Sequence, residues 1–142
     1  MRTGLLISTA LLAFSTVSCS SVKPVAVNAG DQCFRCRRTI SDTKLAGELL
    51  DGARFVSKFR TPACLATYLA EHPTETGMVF VTDYATGDMM RPDGAFFVPF
   101  VNRDTGERDY RAFKVRSDAD AAAAEARSEL VGWKAVLEKA RS

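Results

Sequence analysis

Two hydrophobic stretches on either side of Asp51-Gly52 constrain the fold more than any other feature of the chain. An Asp-Gly pair between apolar runs is typical of a tight β-hairpin, so these stretches predict two adjacent antiparallel strands. The next segment, TPACLATYLAEHP, predicts a helix, because Thr61 can cap it and Pro62 suits its first position. The apolar segment GMVFVTDY then predicts a third strand. The first half of the chain therefore predicts the order strand, strand, helix, strand.

The second half predicts the same order of elements. GAFFVPFV and RDYRAFKV predict two strands, joined through a turn that contains Gly106. Pro99 lies inside the first of these, which indicates an edge strand or a bulge, since proline cannot donate a hydrogen bond. Ser117 is the expected cap of a helix over DADAAAAEAR, and ELVGWKAV predicts a final short strand. The sequence therefore predicts an α+β fold of two similar ββαβ lobes in one compact domain, residues 31–142.

The start of the chain predicts a signal peptide over residues 1–18. Arg2 precedes an apolar stretch that is too short to span a bilayer, which takes roughly 20 residues. Small residues then lead to Cys19, the kind of position at which bacterial lipoproteins are cleaved and lipidated. Cys19 is therefore the predicted lipid carrier, and residues 19–30 the predicted tether. Ordinary cleavage after Ala29 is the alternative.

Charge and motif content exclude several classes of function. The chain has 19 basic and 17 acidic residues, a formal net charge of +2, and no basic stripe interleaved with aromatic residues, so it has no predicted nucleic-acid partner. It has neither a nucleophile-elbow nor a phosphate-loop motif, and we expect that it is not an enzyme. Its single histidine, His72, argues against a histidine-rich metal site. We expect a structural role for it at the end of the first helix.

The thiol pair Cys33 and Cys36 is the leading candidate for a binding site. The motif CFRC places Arg35, Arg37 and Arg38 around the pair, and positive charge favours the thiolate, which is both the nucleophile and the metal ligand. A soft ion such as Cu(I) prefers thiolate and thioether ligands. The pair therefore predicts a copper site.

Two methionines are candidate additional ligands. Met89 and Met90 lie at a predicted turn, from which a thioether could lean across a cleft. The alternative is that they pack against the sheet as ordinary apolar side chains. Cys64 lies on the apolar stripe of the first predicted helix, and we interpret it as a small buried residue.

Other uses of the thiol pair differ in how well the sequence suits them. Structural zinc takes four ligands, and only Cys64 and His72 could be added. A thioredoxin-like couple needs a C-x-x-C that opens a helix after a strand, whereas this pair precedes a predicted strand. A structural Cys33–Cys36 disulfide in an oxidising compartment stays open. A thiol-disulfide function also stays open, since the arginines would stabilise a leaving thiolate.

The chain resembles the NosL-like accessory lipoproteins of nitrous oxide reductase. The resemblance rests on the lipoprotein-like leader and on CFRC, ISDTKLAGEL with the following DG, KFRTPACLATYL, VTDYATGDM, AFFV and SDADAAAAEA, in this order. It implies a two-lobed ββαβ repeat. It also implies a copper-binding accessory protein on the periplasmic face of a membrane in the bacterial cell envelope.

Carried over residue by residue, the resemblance assigns Cys33 and Cys36 to the cysteine pair of the family and Cys19 to its lipid-bearing cysteine. Cys64 matches a cysteine that is common in the helix of many members. The implied function is to hold Cu(I) and deliver it to a copper-requiring enzyme outside the cytoplasm, as in the maturation of nitrous oxide reductase, or to another copper carrier. A thiol-disulfide redox protein, or a disulfide-stapled interaction lipoprotein, is the alternative.

The chain departs from the family directly after the pair. Where the family usually continues C-x-x-C-G-M, this chain continues Cys36-Arg37-Arg38, and an arginine cannot ligate a cation. Either Met89 or Met90 replaces the missing thioether, or the chain binds copper weakly, or it no longer handles copper.

Overall fold

The computed structural model describes residues 22–103 and 105–142. The predicted signal peptide, residues 1–18, and the predicted lipidation of Cys19 lie outside this range and stay predictions. Within it, none of the helices has the length and apolar character that crossing a membrane requires.

In residues 22–103 and 105–142, six strands and three helices follow one 3₁₀ turn at Thr43–Leu45. The strands are β1 Gly47–Asp51, β2 Val56–Phe59, β3 Gly77–Thr82, β4 Met89–Met90, β5 Phe96–Val101 and β6 Arg108–Phe113. The helices are α1 Pro62–Glu71, α2 Arg116–Ala126 and α3 Trp133–Arg141.

Two antiparallel sheets form the framework. The first has the strand order β2-β1-β3-β4, and the second is the hairpin β5-β6. A parallel bridge between Asp83 and Ala112 connects them. The hairpin predicted at Asp51-Gly52 is confirmed, with Gly47 opposite Phe59. The Asp51 carboxylate closes its turn by accepting from the backbone N–H groups of residues 53 and 55.

Helix α1 begins and ends where the sequence predicts. The Thr61 hydroxyl accepts from the Cys64 N–H at 3.2 Å, and Pro62 occupies the first turn. Thr61 is itself buried and hydrogen-bonded to the buried Asp109. His72 ends the helix, with its ring stacked on Tyr68 at 4.2 Å and its Nδ1 2.9 Å from the Tyr68 carbonyl oxygen.

The Thr61→Ala variant should lower the free energy of unfolding by about 1–2 kcal/mol, because it removes an N-cap acceptor. Loss of the contact with Asp109 places the expected cost in the upper part of that range. Urea unfolding at neutral pH measures the change, and Thr61→Ser, which keeps the hydroxyl, is the matched control. Equal stability of Thr61→Ala and wild type would exclude the capping role.

The core has two parts. The larger part joins the four-stranded sheet to α1, α3 and β5, with Phe59, Leu65 and Phe97 fully buried inside it. The smaller part lies between the β5-β6 hairpin and α2, around Val98 and Phe113. The α+β class is therefore confirmed.

The second half departs from the predicted ββαβ order at its end. ELVGWKAV does not form a strand: Val131 makes a single bridge to Phe97, and helix α3 then begins at Trp133. Trp133, Val136 and Leu137 recur at the spacing of one helix face, and this face joins the larger core beside α1. The prediction of a final short strand is therefore wrong, because the apolar residues of this segment follow a helical period.

The predicted cap of α2 is also wrong. The helix begins at Arg116, and Val115 precedes it with no side-chain hydrogen bond to the helix end. Ser117 therefore lies inside the first turn. Pro99 lies in β5, a strand of the two-stranded sheet, which agrees with the predicted edge position.

The described part of the predicted tether contacts the domain. The Val25 N–H donates to both carboxylate oxygens of the buried Glu48, at 2.9 and 3.1 Å. Val27 packs against the larger core, and the Gly30 N–H donates to the Ile40 carbonyl oxygen. Residues 25–30 are thus attached to the fold, and the boundary at residue 31 stays a prediction.

Candidate metal centre

Three thiols converge at one edge of the four-stranded sheet. The sulfur atoms of Cys33, Cys36 and Cys64 all lie within 4.8 Å of one another, and those of Cys36 and Cys64 are 3.8 Å apart. All three are free cysteines. We call them the cysteine cluster.

The CFRC segment forms a tight loop along the outer edge of β2. The Phe34 N–H donates to the Lys58 carbonyl oxygen at 2.7 Å, which attaches the loop to this strand. The Cys33 N–H donates to the Arg38 carbonyl oxygen, and the Arg37 N–H donates back to the Cys33 carbonyl oxygen, both at 2.9 Å. Arg37 closes the turn at φ 61°, in the left-handed region that favours glycine. These short-range backbone hydrogen bonds close the loop into a tight turn.

Helix α1 supplies the third thiol. β2 ends at Phe59, and α1 begins three residues later, so the first turn of the helix lies next to the CFRC loop. The cap at Thr61 holds the Cys64 backbone, and Asp109 accepts from the Ala63 N–H at 3.3 Å. Cys64 therefore lies in the first turn of the helix.

Cys33 and Cys64 share a hydrogen bond, and their pKa values are shifted in opposite directions. The hydrogen bond from Cys64 lowers the pKa of Cys33, and the backbone N–H groups of Cys36 and Arg60 lower it further. The same hydrogen bond, together with burial, raises the pKa of Cys64. Cys33 is therefore the thiol that loses its proton more readily, and Cys64 is the one that keeps it.

Arginines surround the cluster. Arg35 interacts with Cys64 and pairs with Glu71 at 2.7 Å, and Arg60 interacts with Cys36 and pairs with Glu107 at 3.2 Å. Arg35 was predicted from the sequence, whereas Arg60 was not, because it is 24 residues from Cys36 along the chain (60 against 36). The Arg37 guanidinium lies over the Phe34 ring instead, 5.3 Å from its centroid.

Access to the cluster is from one side. Cys33 is fully buried, whereas Cys36 and Cys64 are partly exposed and border a surface cavity of about 270 Å³. An incoming ion would therefore reach these two sulfurs first.

The methionines lie elsewhere. Met89 and Met90 form β4, the edge strand opposite β2. Three strand spacings of about 4.8 Å separate the two edges, roughly 14 Å in all. Both side chains border a cavity with Phe80 and Arg91, and none of the described methionines borders the cavity at the cysteine cluster. The structure does not bring the predicted methionine ligands to the cysteines, and their role as ligands stays a prediction.

The prediction that Cys64 is a small buried residue is wrong. It is partly exposed and belongs to the cluster, so it is not a simple buried residue of the core. The available signal was its position in TPAC, three residues after the capping threonine, because that placement puts a thiol at a helix N-terminus.

The cluster has the dimensions of a three-sulfur metal site. With metal–sulfur bonds of about 2.3 Å, the value for zinc, three sulfurs around one ion would lie about 4 Å apart. The 3.8 Å between Cys36 and Cys64 fits this spacing. Among the described residues, no histidine or carboxylate joins the group. The described part of the chain thus offers three soft ligands here and no fourth cysteine, histidine or carboxylate.

Comparisons with known proteins identify the fold. No model of a protein family matches this chain, and no curated protein matches it. Among solved structures, it is similar to the crystal structure of the copper chaperone NosL from Shewanella denitrificans, with a TM-score of 0.65 and 19% identity over 79% of this chain and 93% of that chain. The chain therefore has a NosL-like fold, as its sequence resemblance predicts.

Proposed function

We propose that this protein is a copper carrier that holds one Cu(I) ion as cargo on Cys33, Cys36 and Cys64. The observation that carries the proposal is the convergence of three free thiols within 4.8 Å at a surface cavity. The structural neighbour is described as a copper chaperone, which agrees with this chemistry.

The ligand set favours Cu(I) over the common alternatives. Thiolate ligands select soft ions such as Cu(I), and calcium, magnesium and manganese prefer oxygen ligands. Structural zinc is almost always bound by four protein ligands. The described part of the chain offers three sulfurs here and no fourth ligand, which suits an ion that accepts three.

Charge balance supports the same ion. Three thiolates and one Cu(I) carry a net charge of −2. The guanidinium groups of Arg35 and Arg60, which interact with Cys64 and Cys36, offset that charge without competing for the ion, since arginine has no lone pair to donate. Arg35 and Arg60 thus fit a copper-thiolate site with cysteine, rather than methionine, as the third ligand.

Delivery follows from the exposure of two of the ligands. A receiving protein can approach Cys36 and Cys64 through the cavity while the buried Cys33 still holds the ion. Ion transfer then proceeds by ligand exchange and requires no enzyme-catalysed covalent reaction. We propose as receiver an extracytoplasmic copper enzyme of the nitrous oxide reductase type or another copper carrier. The same proposal includes attachment to the periplasmic face of a membrane through a lipid on Cys19.

Anaerobic titration of the reduced full chain with Cu(I), in competition with bicinchoninate, tests the proposal. We expect one Cu(I) per chain and sulfur-only coordination in the X-ray absorption spectrum. Affinity should rise with pH over the neutral range, because the ion must displace the proton held by the raised-pKa thiol of Cys64. Failure of the reduced protein to compete with this chelator at any pH would eliminate the copper function.

A thiol-disulfide function is the second candidate, and one distance supports it. Cys36 and Cys64 are free, but their sulfurs are 3.8 Å apart, so a small movement would allow a disulfide of about 2.05 Å. The reduction potential of this pair discriminates. A value of roughly −120 to −270 mV is that of known oxidoreductases, whereas one below about −300 mV indicates a structural bridge.

A further inference from the structure

A second, larger cavity lies beside the cysteine cluster and has a different chemistry. Its volume is about 520 Å³, and Arg38, Arg60 and Thr61 border both cavities. Among the described residues that line it, four are arginines and two are carboxylates: Arg38, Arg60, Arg103, Arg111, Asp42 and Glu125. Among the described lining residues basic side chains therefore outnumber acidic ones, and two of the arginines, Arg38 and Arg60, also pair with Glu107. We call this cavity the arginine cleft.

Arg111 lines the arginine cleft, and its guanidinium group contacts two aromatic rings. Its guanidinium carbon lies 4.9 Å from the centroid of the Tyr84 ring and 4.7 Å from that of Phe100. These contacts hold the group in place through cation–π attraction. Its Nε atom is buried and has no hydrogen-bond partner in the described part of the chain.

Arg60 adds a second incompletely paired guanidinium. Its side chain is only 12% exposed, and one terminal nitrogen lies 3.2 Å from Glu107, but its Nε is buried without a hydrogen-bond partner. Buried donors without partners are costly and rare in folded proteins. Both Nε atoms are enclosed by protein, so a ligand in the cleft would contact the other nitrogens of these two guanidinium groups.

We propose that the arginine cleft binds a small molecule through a carboxylate or phosphate group held by Arg111 and Arg60. The planar donor fork of arginine matches both groups and can bind them in a bidentate manner. Tyr84, Phe100 and Leu45 provide an apolar wall for the rest of the ligand. The volume lies within the usual range of small-molecule sites, about 300–1,000 Å³.

Isothermal titration of the full, reduced, metal-free chain with inorganic phosphate and, separately, with citrate tests this site. At constant ionic strength we expect saturable one-to-one binding of at least one of the two anions. The phosphate and citrate arms tell which group the cleft accepts. Arg111→Gln should bind at least about ten-fold more weakly, because it loses charge-assisted hydrogen bonds.

The matched control is Arg116→Gln. Arg116 also lies over an aromatic ring, at 5.5 Å from the centroid of Phe96, but it does not line the cleft. Its affinity should stay within two-fold of wild type. Unchanged binding by a folded Arg111→Gln variant, or no saturable binding of either anion, would overturn the proposal.

A readout on the wild-type protein keeps the test independent of mutant folding. The Nε–H resonances of Arg111 and Arg60 should shift on addition of the bound anion, while that of Arg116 stays in place. No shift at either arginine would refute the site even if every variant failed to fold. Because no copper is present, the outcome is separate from that of the copper proposal.

Discussion

Replacing Cys64 by serine should weaken Cu(I) binding by at least about 100-fold. The substitution keeps the size of the side chain and removes one of three soft ligands, since a hydroxyl is a poor ligand for Cu(I). Changes in the outer shell of a metal site alone typically cost 10–100-fold in affinity, so loss of a direct ligand should cost at least the upper value. Competition with bicinchoninate, at fixed pH and under reducing conditions, measures the change.

The matched control for this experiment is Met89→Leu. Met89 lies on β4, at the edge of the sheet opposite the CFRC loop. Replacing its side chain should therefore leave the Cu(I) affinity within two-fold of wild type. The reverse outcome, a tight Cys64→Ser variant and a weak Met89→Leu variant, would show that a thioether, not the helix thiol, completes the site. The pair of variants therefore decides between the ligand set predicted from the sequence and the one that the structure assembles.

Replacing Phe59 by alanine should reduce the free energy of unfolding by about 3–5 kcal/mol, the usual cost of removing a buried phenylalanine ring. Phe59 is 0% exposed, and its ring centroid lies 6.2 Å from that of Phe34 and 5.2 Å from that of Tyr68. The Phe59→Ala substitution would leave a cavity between β2, the CFRC loop and α1. Differential scanning calorimetry should show Tm lower by about 10 °C or more.

Phe55→Ala provides the control, because both rings contact Phe34 edge to face. Phe55 lies 6.4 Å from Phe34, close to the 6.2 Å of Phe59, but it is 61% exposed. Little apolar area returns to water when its ring is removed, so we expect a loss of about 1 kcal/mol or less. Similar losses for both variants would mean that contact with Phe34, rather than burial, carries the stability.

Local signals accounted for most of the secondary structure. The Asp51-Gly52 turn and the Thr61-Pro62 helix start were found because each depends on backbone chemistry within a few residues. The same reasoning failed at Trp133–Arg141, where a short apolar segment fits a strand or a helix equally well by composition. Contact with α1 decided in favour of the helix.

The site was half predictable. Cys33 and Cys36 were identified because a C-x-x-C loop keeps two thiols together by its length alone. Met89 and Met90 were chosen as additional ligands by residue type, and nothing in their sequence context shows that β4 lies at the opposite edge of the sheet. The sequence does not single out Arg60 or Arg111, since neither belongs to a recognisable motif.

By itself, the amino-acid sequence determined the α+β class, the first hairpin, the capped helix and the thiol pair, since each of these follows from interactions between residues close together in the chain. Only the tertiary structure decided that Cys64 is the third sulfur, 28 positions from Cys36. The hydrogen bond from the Phe34 N–H to the Lys58 carbonyl oxygen holds the CFRC loop on β2. The same strand leads directly into α1. Hydrophobic periodicity cannot predict that the CFRC loop and α1 lie side by side. It shows which face of an element is buried, but not which other element buries it.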